Sequence, residues 1–492
     1  MLRYKALNIL RTFTPEEVKQ FTHFLDSPYF NTSKKVARLF RILKPFHPDF
    51  SSQKFTNRNL KKKIGTISDS TLKNLFANLY PLCEKFISLK SFLTDGEAHD
   101  IQLISGLFQR NLHSLCKENI TRLRTQLDSG SNFHTMNLHT LFQLENYEYN
   151  IDMFSKPVKG KEELQEHLDF YTRSHDYLFY YYFSNALNSY IMMLNISKLM
   201  EEQPSHTNLG RFFEEFFPID KIEVLLHNFC NFKDKFIRDV FELQWLYVKI
   251  RIGKDIFKDS RKYIKLLKQV SPKLHADERY NYYMIFNLWY PEVLEQDDFI
   301  ETEFEFYNDM LEKEAYKSTG NEHMSIRNFT YLCMRGDTTG RFEWTDNVVD
   351  KHIHAIEPAY RNSVIALRNS YLQLLKYKDL EMAMIELNKV KHHNELKLKR
   401  EIRYLTILIQ MEKREFKLAL TNIENFSKFL NGKDIPSIDK HLNTVFLKYC
   451  RIVCQHFTGE KPVDLQHVSQ KIENEKYFVS KDWLIKFIDS DF

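Results

Sequence analysis

Glycine is scarce in this chain of 492 residues: there are 12, with 13 prolines, about half the usual combined share. The glycines are also dispersed, at 65, 96, 106, 130, 160, 210, 253, 320, 336, 340, 432 and 459, and only Gly336 and Gly340 lie within five residues of each other. A phosphate cradle needs closely spaced glycines so that successive backbone N–H groups face the anion. Neither G-x-G-x-x-G nor G-x-x-x-x-G-K occurs, and G-x-S-x-G and H-E-x-x-H are missing too. These absences count against nucleotide-loop, nucleophile-elbow and zincin classes. Cysteine is also sparse. The six, at 83, 116, 230, 333, 450 and 454, are scattered through apolar stretches and form no small disulfide framework. Free thiols and a cytoplasmic location are expected. Arg11 interrupts the first apolar run too early for a secretory segment. Tyr177 to Ser197 carries no charge, but Ser184, Asn185, Asn188, Ser189 and Asn195 suit a buried helix with one polar face better than a membrane span.

What is present points to helices. Hydrophobic residues make up 43% and charged residues 27%, as in soluble globular proteins, while Phe and Tyr reach 41 and 26. Few breakers and long runs of helix formers predict an all-α chain. At roughly 100–200 residues per domain, the length allows two to four domains or one elongated repeat array. The aromatic clusters Tyr180-Tyr181-Tyr182-Phe183 and Tyr280, Tyr282, Tyr283 are expected to fill cores rather than to stack on ligands.

Charge is uneven. Residues 1–95 hold 17 Lys+Arg and 7 Asp+Glu, a balance of +10, and the other 53 basic and 58 acidic residues leave −5. A basic helical module over 1–95 is therefore expected. Thr14-Pro15-Glu16-Glu17 reads as a capping box with Pro at the first helical position. Ser33, then Thr56, then Ser68 or Asp69 can cap three further helices, the last carrying Leu72, Leu75, Phe76, Leu79, Leu82 and Phe86 inward, with a kink expected at Pro81. Lys54, Arg58, Lys61, Lys62, Lys63 and Lys73 could neutralise phosphates. A short helix, a turn at Gly65 and a longer helix fit a helix-turn-helix with Thr71, Lys73, Asn74 and Asn78 outward. This fragment resembles the winged-helix part of bacterial regulators, with Leu60 and Leu75 as core, although Pro81 and the lack of a wing hairpin depart from it.

Residues 96–220 read as long helices, with loops near Asp128–Asn132, Ser155–Lys161 and Glu202–Gly210. Over 221–430 a repeat emerges: Leu380 and Phe416, Ala383 and Ala419, Met384 and Leu420, Leu387 and Ile423 are each 36 residues apart. One step back, Arg341-Phe342-Glu343-Trp344 takes the turn and Asn347 replaces the Ala. A turn and large residue before an Ala on a second helix resemble the tetratricopeptide repeat, over 325–430 and more loosely over 220–430. The resemblance implies a right-handed α-solenoid of antiparallel helix pairs, whose concave surface takes peptides or protein elements. Met384, Leu387, Leu420, Ile423 and Phe426 would then lie between repeats, and 431–492 would cap the stack with the Trp483 helix. The first-helix signature departs, since its small residue aligns with Tyr371 and Ile407 and W-x-x-L-G is absent. The run Thr14-Pro15-Glu16-Glu17…Phe21…Phe24-Leu25-Asp26-Ser27-Pro28-Tyr29-Phe30-Asn31 and the ending Asp482-Trp483-Leu484 also resemble a group of uncharacterised, aromatic-rich bacterial helical proteins. That resemblance implies no activity.

Three functions stand as expectations. The first is a non-enzymatic scaffold or adaptor for a protein partner, presenting Arg361, Arg368 and Asn369 from one helix and Lys399, Arg400 and Arg403 from the next. The second is a nucleic-acid-binding regulator using the basic module. The third is an enzyme with a site between helices, for which no sequence-local nucleophile and base, and no carboxylate pair, can be named. No cofactor is expected. Cys450 and Cys454, one turn apart with His456 beyond, would need two more ligands to hold a metal. His352 and His354 should face different sides of a helix, and His392-His393 should lie in a loop.

Overall fold

The structure is a computed structural model, and it describes residues 4–128, 132–155, 160–200, 208, 210–211, 215, 235–252, 255–287, 299–391, 395–432, 437–475 and 480–490. Cys230, His392 and His393 lie outside the described residues, as does most of the expected loop at 202–210. The described chain is all-α, and among these residues β-pairing is limited to two isolated bridges. It forms two units, Met1–Asp128 with Thr140–His175, and Ser129–His139 with Asp176–Phe492.

The first unit begins with α1 (Lys5–Leu10), α2 (Pro15–Asp26), α3 (Lys34–Leu43), α4 (Asn57–Ile64) and α5 (Asp69–Thr94). The capping residues act where the sequence places them. The Thr14 hydroxyl accepts from the Glu17 N–H at 3.2 Å, and the Glu17 carboxylate accepts from the Thr14 N–H at 2.6 Å. Ser33, Thr56 and Ser68 each accept from the third residue beyond. The five helices share one apolar core, with Leu7, Phe21, Val36, Leu39, Leu43, Leu72 and Leu79 wholly buried. Helix α5 runs through Pro81 without ending. Then α6 (Gly96–Gln109) and α7 (His113–Asp128) pack with residues of α8 (Met136–Ser155) around Ile104, Cys116, Ile120, Leu123 and Leu144. The tight turn at Arg110–Leu112, with Asn111 in the left-handed region at φ 57°, divides what reads in sequence as one long helix.

The second unit takes the later part of α9 (Lys161–Met200), then α10 (Lys235–Ile252), α11 (Ile256–Val270), α12 (Ala276–Asn287) and α13 (Ile300–Glu312). The uncharged stretch of α9 is buried along one side only, with Tyr180, Phe183, Leu187, Tyr190 and Ile191 in the core and Tyr182, Met192 and Ile196 exposed, and polar groups anchor the inner side. Ser184 and Asn188 bond Gln244 of α10, which also donates to the Tyr282 hydroxyl, and Asn195 pairs with Tyr247. Asn185 instead turns to solvent. Among the described residues no helix is long and apolar enough to cross a membrane.

Helix pairs follow: α14 (Ile326–Thr338) with α15 (Phe342–His352), α16 (Arg361–Leu372) with α17 (Leu380–Asn388), and α18 (Leu396–Glu412) with α19 (Phe416–Leu430). Helix α16 packs against both α14 and α18. From their left-handed residues onward the entries into α17 and α19 match residue by residue. Lys378 and Arg414 are left-handed, at φ 56° and 63°, and the buried and exposed positions of 378–387 recur in 414–423. Ala383 and Ala419 are fully buried, Leu387, Ile423 and Phe426 are core, and Met384 and Leu420 are partly buried against it. At the turn into α15 the left-handed residue is Gly340; Thr345, five residues on as Ala383 is from Lys378, is fully buried, and Asn347 is exposed. Gly336 makes room for Thr345: a Cβ there would stand 2.1 Å from the Thr345 hydroxyl and 2.9 Å from the Trp344 ring. The chain closes with α20 (Ser437–Phe457), α21 (Leu465–Glu473) and α22 (Lys481–Asp489), where Trp483 donates to Glu412 at 2.8 Å.

Candidate nucleic-acid interface

Leu60 and Ile64 anchor α4 to the core while the rest of its short cylinder faces out. Lys54, Arg58, Lys62, Lys63 and Lys73 are exposed and Lys61 is half-buried. Lys61 pairs with Asp69 at 2.9 Å. Lys63 extends over the Phe46 ring at 5.6 Å. The other four make no ion pair among the described residues. A turn of four residues, Gly65 to Ser68, leads into α5. Gly65 at φ 131° and Thr66 at φ 57° bring both their N–H groups onto the Lys61 carbonyl, so the turn needs a glycine at its first position. Lys73, Asn74 and Asn78 are exposed on α5. Thr71 is half-buried and its hydroxyl bonds Ser68 at 2.9 Å. The helix–turn–helix order of the sequence is therefore present, and no strand follows α5 among the described residues to make a wing.

The basic face is larger than the six residues that the sequence pattern picks out. On α3, Val36, Ala37, Leu39, Phe40 and Leu43 point inward, which leaves Lys34, Lys35, Arg38 and Arg41 exposed. Arg38 donates to the Lys63 carbonyl at 3.2 Å and so joins the cations of α3 to those of α4. The signal was available: Lys34, Arg38 and Arg41 follow helical spacing, and α3 contains no acid.

The second set of candidate residues sits differently. Arg368 is buried, held 3.3 Å from Asp337 and 2.6 Å from Asp346. Asp337 is fully buried and shares this one guanidinium with Asp346, so desolvation dominates and pushes its carboxyl up to about 6. Arg361 donates to the Ile356 and His354 carbonyls and ties down the approach to its own helix. Arg400 pairs with Glu401. Arg403 donates to the Lys399 carbonyl and stacks over Phe429 at 4.4 Å, where burial lowers its pKa. Asn369 and Lys399 are half-buried. Arg361, Arg368, Arg400 and Arg403 are thus each engaged within the chain.

The remaining candidates resolve into packing. Cys450 and Cys454 are both fully buried, and burial raises both thiols, Cys454 to about 12. Among the described residues no three His, Cys, Asp or Glu side chains are grouped to hold a metal. Helix α15 ends at His352, so His352 and His354 do not share a regular helix and their rings lie 6.1 Å apart. Tyr180, Phe183, Tyr282 and Tyr283 are core, while Tyr182 is exposed. The chain matches no protein-family model, no curated protein and no solved structure.

Proposed function

We propose that this chain is a nucleic-acid-binding protein that contacts phosphates through the α3–α4 face, and that its C-terminal helix pairs form a tetratricopeptide-like scaffold. One observation carries the reading. Between residues 27 and 83 there are eleven Lys and Arg against only Asp49 and Asp69, and most of those cations point into solvent with no partner carboxylate. Phosphate-bearing polymers are the partners that such a surface binds by counterion release, with affinity falling steeply in salt. The described cysteines are all free and buried, which supports a reducing, cytoplasmic setting.

The test is anisotropy of a labelled mixed-sequence oligonucleotide with the full chain across a salt series. Replacing Arg58, Lys62 and Lys63 by Glu should reduce the salt slope by about one for each phosphate that is no longer neutralised. Unchanged affinity and slope in that variant sink the proposal.

A scaffold for a protein partner is the second reading, and a specific feature favours it. Met382 and Leu418 hold the same position in consecutive repeats, and both are exposed, at 38% and 49%, with Ile385 beside the first at 50%. Apolar groups repeated on an outer face are suited to a partner helix. Replacing Met382, Ile385 and Leu418 by Ser should abolish retention of such a partner without altering the unfolding midpoint.

A further inference from the structure

The shape of the basic face bears on which kind of nucleic acid it takes, an inference that rests on the phosphate-binding reading above. Tyr29, in the loop between α2 and α3, is 88% exposed, the most exposed large aromatic side chain among the described residues. Its loop is nevertheless pinned. The Asn31 amide donates to the Leu25 carbonyl at 2.8 Å and the Ser33 carbonyl at 3.2 Å, and its oxygen accepts from the Ser33 N–H at 2.9 Å. The Phe30 and Asn31 N–H groups both bond the Ser27 carbonyl. Phe30 stacks on Phe24 at 4.4 Å and presents an edge contact to Tyr29. A built loop therefore holds an aromatic ring out in water, where it forgoes the burial that most aromatic side chains obtain.

Immediately after this ring the cations begin. Lys34, Lys35, Arg38 and Arg41 line the outer face of α3, and Arg38 passes the line to Lys63, Lys62 and Arg58 on α4. Arg41 is the exception in being tethered, to Asp26. A ring followed by a stripe of charge is the arrangement on which an unpaired base stacks while its backbone runs along the cations. The features needed for a duplex are weaker. A recognition helix enters the major groove by its N-terminal turns, yet α5 starts with a carboxylate, Asp69, and has Lys73 as the one cation of its first two turns. Asp69 would meet the phosphates that such a docking brings close, and its hold on Lys61 withdraws a cation from them.

We propose that the face from Tyr29 along α3 to α4 is a track for single-stranded nucleic acid, with Tyr29 as its base-stacking platform and the α3 and α4 cations as its phosphate contacts. The track should favour any base with a free face and read little sequence.

The experiment uses the full chain and one labelled 20-nucleotide strand, free or annealed to its complement. Four proteins are compared: unaltered, Tyr29→Ala, Tyr29→Trp, and Lys34, Arg38, Lys62 and Lys63 all changed to Glu. Circular dichroism checks that each is folded, which Tyr29 at its exposure should not affect. The free strand should bind at least tenfold tighter than the duplex. Tyr29→Ala should weaken the free strand about tenfold and leave the duplex and the salt slope unchanged, and Tyr29→Trp should restore binding. Duplex affinity equal to or above that of the free strand, or no effect of Tyr29→Ala, overturns the track while leaving phosphate binding standing. Binding of neither form, or binding that ignores the four charge reversals, overturns both.

Discussion

The basic module and the C-terminal helix pairs use the same side chains for opposite ends. In α13–α19 guanidinium and ammonium groups link one helix to another. Arg335 grips Glu303 with two bonds of 2.9 and 3.0 Å, Arg368 bridges Asp337 and Asp346, Lys413 reaches Glu381, and Arg341 pairs with Glu301. In α3 and α4 the core is apolar; Arg38, Arg41, Lys61 and Lys63 each touch a neighbouring element, whereas Lys34, Lys35, Arg58 and Lys62 are exposed and make no ion pair among the described residues. Removing a buried charge such as Arg335 or Arg368 should therefore destabilise one region, while removing Lys34, Lys35, Arg58 or Lys62 should leave the fold of the other alone. A face whose charges do not serve its own stability is the one to examine for a ligand.

The largest effect is expected at the buried ion pair. Arg368→Ala leaves Asp337 fully buried without its counterion, to be held charged or to take up a proton, and breaking such a pair costs up to about 3–5 kcal/mol. Urea unfolding of the second unit would register this as a fall in midpoint. The double change Arg368→Met with Asp337→Asn should lose less than Arg368→Ala alone, because no orphan charge remains. If the double variant is the less stable, the pair contributes more than its burial costs and the contrast with α3 and α4 deepens.

The same pair gives a pH test. The Asp337 carboxyl lies near 6 in the folded chain against 3.8 as its ordinary value, because burial disfavours the charged form. The folded state therefore binds more protons than the unfolded state between these values, and the slope of stability with pH is negative there. This contribution is complete below about 4 and disappears as pH rises through 6. Relative to Asp337→Asn, the unaltered chain should lose on the order of 2 kcal/mol between pH 4 and pH 7. Parallel stability curves for the two proteins would show that Asp337 stays ionised throughout.

Two glycines sharpen the comparison further. Gly336→Ala drives a Cβ into Thr345 and Trp344, and overpacking of this kind costs about 1–3 kcal/mol. Gly65→Ala meets no atom within 4 Å but must keep a φ of 131°, so its cost is backbone strain alone, about 1–3 kcal/mol. Thermal unfolding should register a loss for both. The first acts through packing between helices and the second through one turn.

Much of this is legible in the chain, and the failures have a common cause. The capping box at Thr14, the caps at Ser33, Thr56 and Ser68, and the inward stripe of α5 are local signals that local chemistry satisfies. The exposed positions of Arg58, Lys62 and Lys63 follow from Leu60 and Ile64 being the only apolar residues of α4. Arg368 reads in sequence as a free donor because its partner Asp337 stands 31 residues away on another helix, and no periodicity records such a pairing. Counting back 36 residues puts Asn347 at the Ala position, which Thr345 in fact holds. The turn Gln373–Tyr377 is wound as a π-helix, with the Asp379 N–H reaching back to Gln373 rather than one residue less, as Glu415 does to Gln410. That insertion shifts the register toward Thr345. Tyr29 stands within a longer motif, but nothing in a sequence says whether an aromatic is packed or held out.

The smallest expected change in stability belongs to the residues with the largest expected functional role. Arg58, Lys62 and Lys63 are exposed and make no ion pair among the described residues, so exchanging all three for Glu removes no side-chain contact seen there beyond the reach of Lys63 over Phe46. Surface changes of this sort stay within about 0.5 kcal/mol each. Relief of like-charge repulsion within the segment 27–83, which has eleven cations and two carboxylates, is expected to raise the midpoint slightly at low salt. Unfolding of the triple variant should therefore be unchanged or slightly later than that of the unaltered chain, and the difference should vanish at high salt. A large loss would mean that these cations anchor the module to something in the folded chain, and the face would then belong with α14–α19 as a cohesive surface rather than an offered one.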